Sequence, residues 1–340
     1  MSRRLVPALA VGLALALVAG CAGDASLPSE VTGSVPEEAA PATTAPPTCS
    51  DTEKAEDPTR SFEPDGALPA PEDIDADPNL PTVQRIKDSG QLVVGVSGDT
   101  LLFGSRNPLT GAIEGFDIDM LKAVARAIFG EGGEDKIVYK VITYAQRLPS
   151  LESGAVDIVA HSMTINCNRW LRINFSSEYF AAGQKLLVKK GSPITGKETL
   201  IDSGARVCAP EGSTNIDLLT ADDTEFTGIT VIGKPDISDC LVALQQGEAD
   251  VLTGDDTVLA GLAVQDPNTV VVGDAFTEEP YGLGFNKDAV DFVQFVNALL
   301  EDMRTDGSWA AIYQRWLIDT GAFDLEAPPE PPAATYGREP

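Results

Sequence analysis

From residue 80 onward, apolar positions fall into alternating rhythms that predict strands and helices in turn. The folded body is expected to begin near Leu80-Pro81-Thr82, with a short helix over 83–87 stopped by Gly90. Leu92-Val93-Val94-Gly95-Val96 is a continuous apolar run, the pattern of a strand buried on both faces. Ser97-Gly98-Asp99 turns the chain into a loop through Leu102, Phe103 and Arg106, and Gly115-Phe116-Asp117-Ile118-Asp119 opens the next element. Residues 120–129 carry apolar side chains at three and four spacing and predict a helix with a glycine stop. A second strand over 137–142, a short helix from Tyr144 to Gly154 and a third strand over 156–160 complete the first half. Strand and helix in alternation predict a parallel α/β layer with ligands at the carboxyl ends of its strands.

The second half repeats this logic. A strand over 184–188 is placed to cross between lobes, and another over 205–209 leads through Pro210-Glu211-Gly212-Ser213-Thr214-Asn215 into a helix. Further strands are expected over 229–233, 250–253 and 266–272, with a helix over 239–246. Residues 281–285 are expected to return the chain to the first lobe, where helices over 290–303 and 309–316 pack. Five prolines in the last thirteen residues predict a loose tail over 321–340.

Two strand-to-helix corners concentrate the candidate chemistry. At the first, Ala160-His161-Ser162-Met163-Thr164-Ile165-Asn166-Cys167-Asn168-Arg169, free backbone N–H groups, the Thr164 hydroxyl and a guanidinium able to make two parallel hydrogen bonds form an anion seat. Ser213 and Thr214 cap the second corner and suggest another, while Asp255 and Asp256 at a strand end suggest a cation seat.

Composition adds an address. At 340 residues and 43% hydrophobic, the chain can hold about two domains. The net charge of -28 argues against nucleic-acid partners. Residues 22–80 carry fourteen acidic and two basic residues and ten of the 24 prolines, which predicts a disordered, solvated stalk. Arg3 and Arg4, an apolar run over 5–19 and Val18-Ala19-Gly20-Cys21 read as a lipoprotein signal peptide ending in a lipidated Cys21. The remaining cysteines, Cys49, Cys167, Cys208 and Cys240, allow three pairings in an oxidising compartment. Cys208 with Cys240 is preferred, leaving Cys49 with Cys167. His161 is the only histidine and neighbours Ser162 along a strand, so the two side chains point apart. With no nucleophile elbow, zinc spacing or EF-hand pattern, neither a hydrolase, a metal site nor a cofactor is expected.

Residues 83–318 resemble the family 3 solute-binding proteins of polar amino-acid ABC transporters. The likeness rests on Gly115-Phe116-Asp117-Ile118-Asp119, on Arg147-Leu148-Pro149-Ser150-Leu151 with Gly154 and Asp157, and on Met163-Thr164-Ile165 with Arg169. It continues through Phe175-Ser176, Gly212-Ser213-Thr214, Gly247-Glu248-Ala249-Asp250, Asp255 and Asp306-Gly307-Ser308-Trp309 with Ile312-Tyr313 and Arg315-Trp316. Glutamate/aspartate binders of actinobacterial type are the nearest pattern.

The resemblance implies a two-lobed periplasmic-binding-protein-like (type II) fold with two hinge strands. Lobe 1 is expected over 81–184 plus 281–320 and lobe 2 over 185–280. It also implies a non-enzymatic protein that closes on a free amino acid, glutamate or aspartate first and asparagine or glutamine as weaker ligands, for delivery to an ABC importer or for sensing. Arg169, Thr164, Ser213 and Thr214 would hold the α-carboxylate, and the Ser162 carbonyl and Asp255 the ammonium. Tyr144, Arg147 and Arg106 would read an acidic side chain. The implied partner is an ABC permease or a membrane sensor protein, with the lipid anchor placing the protein on the outer face of the cell membrane. Asn166, Cys167 and Leu101-Leu102-Phe103 depart from the family pattern.

Overall fold

The computed structural model describes residues 48–50, 52 and 56–339; the expected signal peptide, Cys21 and residues 22–47 of the expected stalk lie outside the described residues. Two five-stranded sheets organise the body. In lobe 1 the order is Ile137–Val141, Leu92–Val96, Ile158–Ala160, Gly284–Phe285, Asn174–Phe175. The first three strands are parallel, with Val94 beside Ile158, and Gly284–Phe285 runs against them. Leu92, Val94 and Val96 are fully buried on one face and Val93 partly buried on the other, in a strand paired along both edges.

Lobe 2 is built alike, in the order Thr230–Lys234, Arg206–Pro210, Val251–Asp255, Gln184–Lys189, Thr269–Val272. Successive side chains feed two cores: Leu187 packs with Cys208 and Leu252 on one face, and Leu186 and Val188 with Val207 and Val251 on the other. Cys208 and Cys240 form a disulfide between the strand Arg206–Pro210 and the helix Ile237–Gln246.

The lobes are joined by an antiparallel ribbon in which Phe180–Ala182 pairs with Glu279–Tyr281. The first crossing segment is therefore not the one expected, whereas the return begins at Tyr281, where the expected segment 281–285 starts. Gln184–Lys189 lies inside the lobe 2 sheet and Gly284–Phe285 inside the lobe 1 sheet. An apolar run such as Leu186-Leu187-Val188 gains most when buried on both faces, so the small residues Ala181, Ala182 and Gly183 are left to make the crossing.

Two further expectations are corrected at the ends of the body. Residues 56–80 lie on lobe 1 rather than extending as stalk. Phe62 and Ile74 are buried, the Ser61 hydroxyl donates to Phe175 O (2.8 Å), and Asn297 Nδ2 donates to Ser61 Oγ (2.9 Å) and Phe62 O (2.8 Å). The tail is not loose either. Thr335–Tyr336 pairs in parallel with Arg60–Ser61, Arg304 Nε donates to Pro332 O (2.8 Å), and the Arg338 guanidinium sits 3.9 Å from the Trp170 ring centre. A few anchor side chains suffice to hold these segments, and an average over proline and acid content hides them.

The helix Phe116–Phe129 starts earlier than its apolar spacing showed, because its first turn buries two partnered carboxylates. Asp117 accepts from Tyr179 Oη (2.6 Å) and Ser162 N (2.9 Å); Asp119 accepts from Arg315 Nη1 (2.9 Å) and Trp316 Nε1 (2.8 Å).

Candidate functional site

The cleft between the lobes is walled on one side by the chain leaving Ile158–Ala160. Ser162 adopts φ +42°, a turn pinned by its N–H bond to Asp117. Burial pushes the Asp117 carboxyl up to about 6, against the opposing effects of Tyr179, the Ser162 N–H and Arg147. The family-like Asp117 is thus what shapes the turn. Beyond it, Ile165 N donates to Pro280 O (2.7 Å) and Gly282 N to Met163 O (3.1 Å), which docks Thr164 beside the hinge. The short helix Cys167–Trp170 follows. Asn166 caps it, its Oδ1 accepting from Arg169 N (2.9 Å). The Cys49–Cys167 disulfide and a bond from Cys49 N to Asn168 Oδ1 (2.9 Å) secure this helix from outside.

Arg169 is 6% exposed. Its Nη1 donates to Thr164 O (2.6 Å) and its Nη2 to Gly212 O (3.3 Å) on the opposite lobe. Across the cleft, Ser213 is spent on the helix Thr214–Thr220: its Oγ accepts from Ile216 N (3.2 Å) and donates to Pro210 O (2.7 Å). Thr214 faces inward. Its hydroxyl donates to Glu279 Oε2 (2.8 Å), and so does that of Thr164 (2.6 Å). One carboxylate oxygen of a hinge residue therefore collects a hydroxyl from each lobe. Sequence reading missed Glu279, because only the paired crossing strands bring it to the two threonines; its other oxygen accepts from Thr277 Oγ1 (2.7 Å).

Asp255, 6% exposed, closes the other side. It accepts from Asn215 Nδ2 (2.8 Å) and Tyr281 Oη (2.6 Å), two further residues the sequence reading did not single out. Burial, and then the Glu279 charge, push its carboxyl up to about 7. Asp256 turns away onto the hinge, bonding Thr257 N (2.8 Å).

Arg147 does not stand free to meet a side chain. It is 1% exposed, with Nε donating to Tyr144 O (3.0 Å), Nη1 to His161 O (3.1 Å) and Ser162 O (3.3 Å), and Nη2 to Gly212 O (2.9 Å) across the cleft. Burial, then Arg169, lower its pKa to about 9, which leaves it cationic at neutral pH. Tyr144 packs its ring 4.7 Å from that guanidinium and 4.6 Å from His161. The Ser162 carbonyl, expected toward an ammonium, faces Arg147 instead. Arg106 lies outside the site: it is exposed and braces its own loop through Gly111 O (2.9 Å). An arginine's bonding partners are set by which carbonyls converge in space, which spacing along the chain does not reveal.

The lobes are in direct contact. Asp99 Oδ2 accepts from Ser238 N (3.1 Å) across the cleft. At Gly212, φ is +79° and any Cβ would lie 2.8 Å from Ala145 Cα, so only glycine allows the approach. A cavity of about 300 Å³ at the mouth is lined by Tyr144, Leu148, Asn166, Arg169, Gly212 and Asp217, among others.

Two α/β lobes on a crossing ribbon, with buried charges of both signs between them, make this a two-lobed binding protein of the periplasmic type II architecture. Residues 92–319 match the bacterial extracellular solute-binding proteins, family 3, and the chain belongs to that family. It is 39% identical to the ABC transporter glutamine-binding protein GlnH of Bacillus subtilis strain 168 over 241 residues, 71% of this chain and 86% of that protein. With the glutamate-binding protein GluB of Corynebacterium efficiens it shares 30% identity over 247 residues, 70% of this chain and 81% of that one. Among solved structures, an ancestral arginine-binding protein bound to glutamine is similar at a TM-score of 0.61 and 32% identity, covering 67% of this chain and 97% of that one.

Proposed function

We propose that the protein captures a free amino acid outside the cell and hands it, unchanged, to the permease of an ABC importer. The observation that carries this reading is the burial of Arg169 and Asp255 in one closed cleft together with hydroxyls from both lobes. Arg169, Thr164 and Thr214 hold the α-carboxylate, which takes over the two hydroxyls from Glu279. Asp255, oriented by Asn215 and Tyr281, holds the ammonium. Opposite charges of the ligand thus bind groups whose partners come from both lobes, so ligand and closure stabilise each other. The glutamine- and glutamate-binding names of the relatives support the ligand class. Cys21 tethers the protein to the outer face of the membrane.

Calorimetry on the mature protein with the twenty amino acids tests this. Arg169→Ala and Asp255→Ala are each expected to cost about 2–5 kcal/mol of binding, because a buried ligand charge is left unpaired. Binding within a few-fold of wild type by either variant would remove that residue from the site, and consumption of the ligand, followed by NMR, would show an enzyme. A Cys21→Ala protein is expected in the medium rather than in the membrane fraction.

A further inference from the structure

Building on Arg169 as the residue proposed to hold the α-carboxylate, we propose that the Cys49–Cys167 disulfide is a thiol-sensitive brace for it, so that reducing this one bond loosens amino-acid binding while the body stays folded. The helix Cys167–Trp170 has only four residues, too few to fix its own orientation. Its direction, and with it that of the Arg169 guanidinium, is set by what grips it from outside. Those grips come from chain beyond residues 92–319, the part that matches the family. Cys49 holds the first helical residue through the disulfide, and its N–H donates to Asn168 Oδ1 (2.9 Å). At the other end Trp170 Nε1 donates to Pro58 O (2.7 Å), and Phe62 packs edge-on with ring centres 5.9 Å apart. The same segment reaches the cleft. Thr48, next to the bonded cysteine, lines the cavity at the cleft mouth with Asn166, Asn168 and Arg169 of lobe 1 and Gly212 and Asp217 of lobe 2. Releasing Cys49 therefore changes both the support of the guanidinium and the wall around it.

The two disulfides differ in access. Cys208 and Cys240 are both fully buried. Cys49 is 5% exposed, but Cys167 is half-buried and borders a separate cavity of about 270 Å³, which Lys287, Arg338 and Glu56 also line. An attacking thiolate is an anion, and two cations against one carboxylate favour its approach on that side. The reductant is a dithiol. One of its sulfurs, as thiolate, attacks Cys167 Sγ; the S–S bond breaks and Cys49 leaves as a thiolate that takes up a proton. The second sulfur, also as thiolate, then displaces Cys167, which is protonated in turn. The protein gains two thiols and the dithiol is oxidised to its own disulfide.

The test uses the Cys21→Ala protein, in which the four bonded cysteines are the only ones left. It is titrated with dithiothreitol at pH 7.5 without denaturant, free thiols are alkylated and located by peptide mass spectrometry, and binding of L-glutamine and L-glutamate is measured by calorimetry. Cys49 and Cys167 are expected to label while Cys208 and Cys240 do not, with affinity for the tighter of the two ligands falling at least about five-fold. Cys49→Ala/Cys167→Ala, with a circular dichroism spectrum like wild type, is expected to show the same loss. In an Arg169→Lys background that double substitution is expected to cost less than about two-fold, because the guanidinium it positions is gone; a purely stabilising bond would not show this coupling. Four cysteines labelling together, a double variant that unfolds or binds within about two-fold of wild type, or an equal loss in the Arg169→Lys background overturns this inference and leaves Arg169 in the site. Arg169→Lys binding as tightly as wild type overturns the seat itself, and this inference with it.

Discussion

Replacing Arg147 with methionine is a sharp test of how the cleft is built. The methionine side chain occupies much of the space of the arginine stem, but the carbonyls of Tyr144, His161, Ser162 and Gly212 lose their donor. A buried carbonyl left unsatisfied costs about 1–3 kcal/mol. Two effects reduce the sum: the guanidinium no longer has to be desolvated, and carbonyls at the cleft can be reached by water when the lobes part. A net loss of about 3–5 kcal/mol remains, which for a body of this size lowers the melting temperature by roughly 10 °C. Because the Gly212 bond spans the lobes, closure weakens for every ligand, by about ten-fold in affinity. Differential scanning calorimetry and ligand titration read both quantities. A melting temperature within about 2 °C of wild type, or a loss confined to acidic ligands, would refute the reasoning and return Arg147 to side-chain recognition.

Three other outcomes are expected. Asp255 and Asp117 have folded pKa values raised to about 7 and about 6 from an ordinary 3.8, so the folded state holds protons that the unfolded chain has lost. Their contribution is present at low pH and lost as pH rises through those values. The ligand-free melting temperature should therefore fall between pH 5 and pH 8 and fall less in Asp255→Asn, whereas ligand affinity should weaken as pH drops below about 7, with protons released on binding. Removing the Cys208–Cys240 bond by a double alanine substitution should cost about 3–4 kcal/mol, given its sequence separation of 32, and a melting temperature equal to wild type would deny the bond a bracing role. Arg338→Ala should cost about 1 kcal/mol and shift Trp170 fluorescence, since the guanidinium stacks on that ring; an unchanged spectrum would mean the tail does not hold this place in solution.

Some of the fold was legible because it is local. Leu92-Val93-Val94-Gly95-Val96 reads as an interior strand wherever it is met, and the structure pairs it along both edges. The corner carrying Thr164 and Arg169, and the strand end carrying Asp255, were visible for the same reason: a motif on a strand end predicts its own position. Arg147 was misread. Its place beside Tyr144 was correct, but the Gly212 carbonyl it reaches lies on another lobe. Glu279 gave no signal, since it acquires its partners only where the chain crosses between lobes.

The division follows from the range of the forces involved. The sequence by itself determined the alternation of strands and helices and the types of charge held at their strand ends, because hydrophobic periodicity and turn chemistry act within a few residues, while the two lobes were legible only through the family resemblance. Tertiary structure alone decided which carbonyls each guanidinium meets, which carboxylate collects hydroxyls from both lobes, and that segments 56–80 and 321–339 lie against lobe 1. Those outcomes depend on hydrogen bonds between residues up to more than 200 positions apart, such as Asn297 to Ser61, and such bonds exist only once the chain has returned through space.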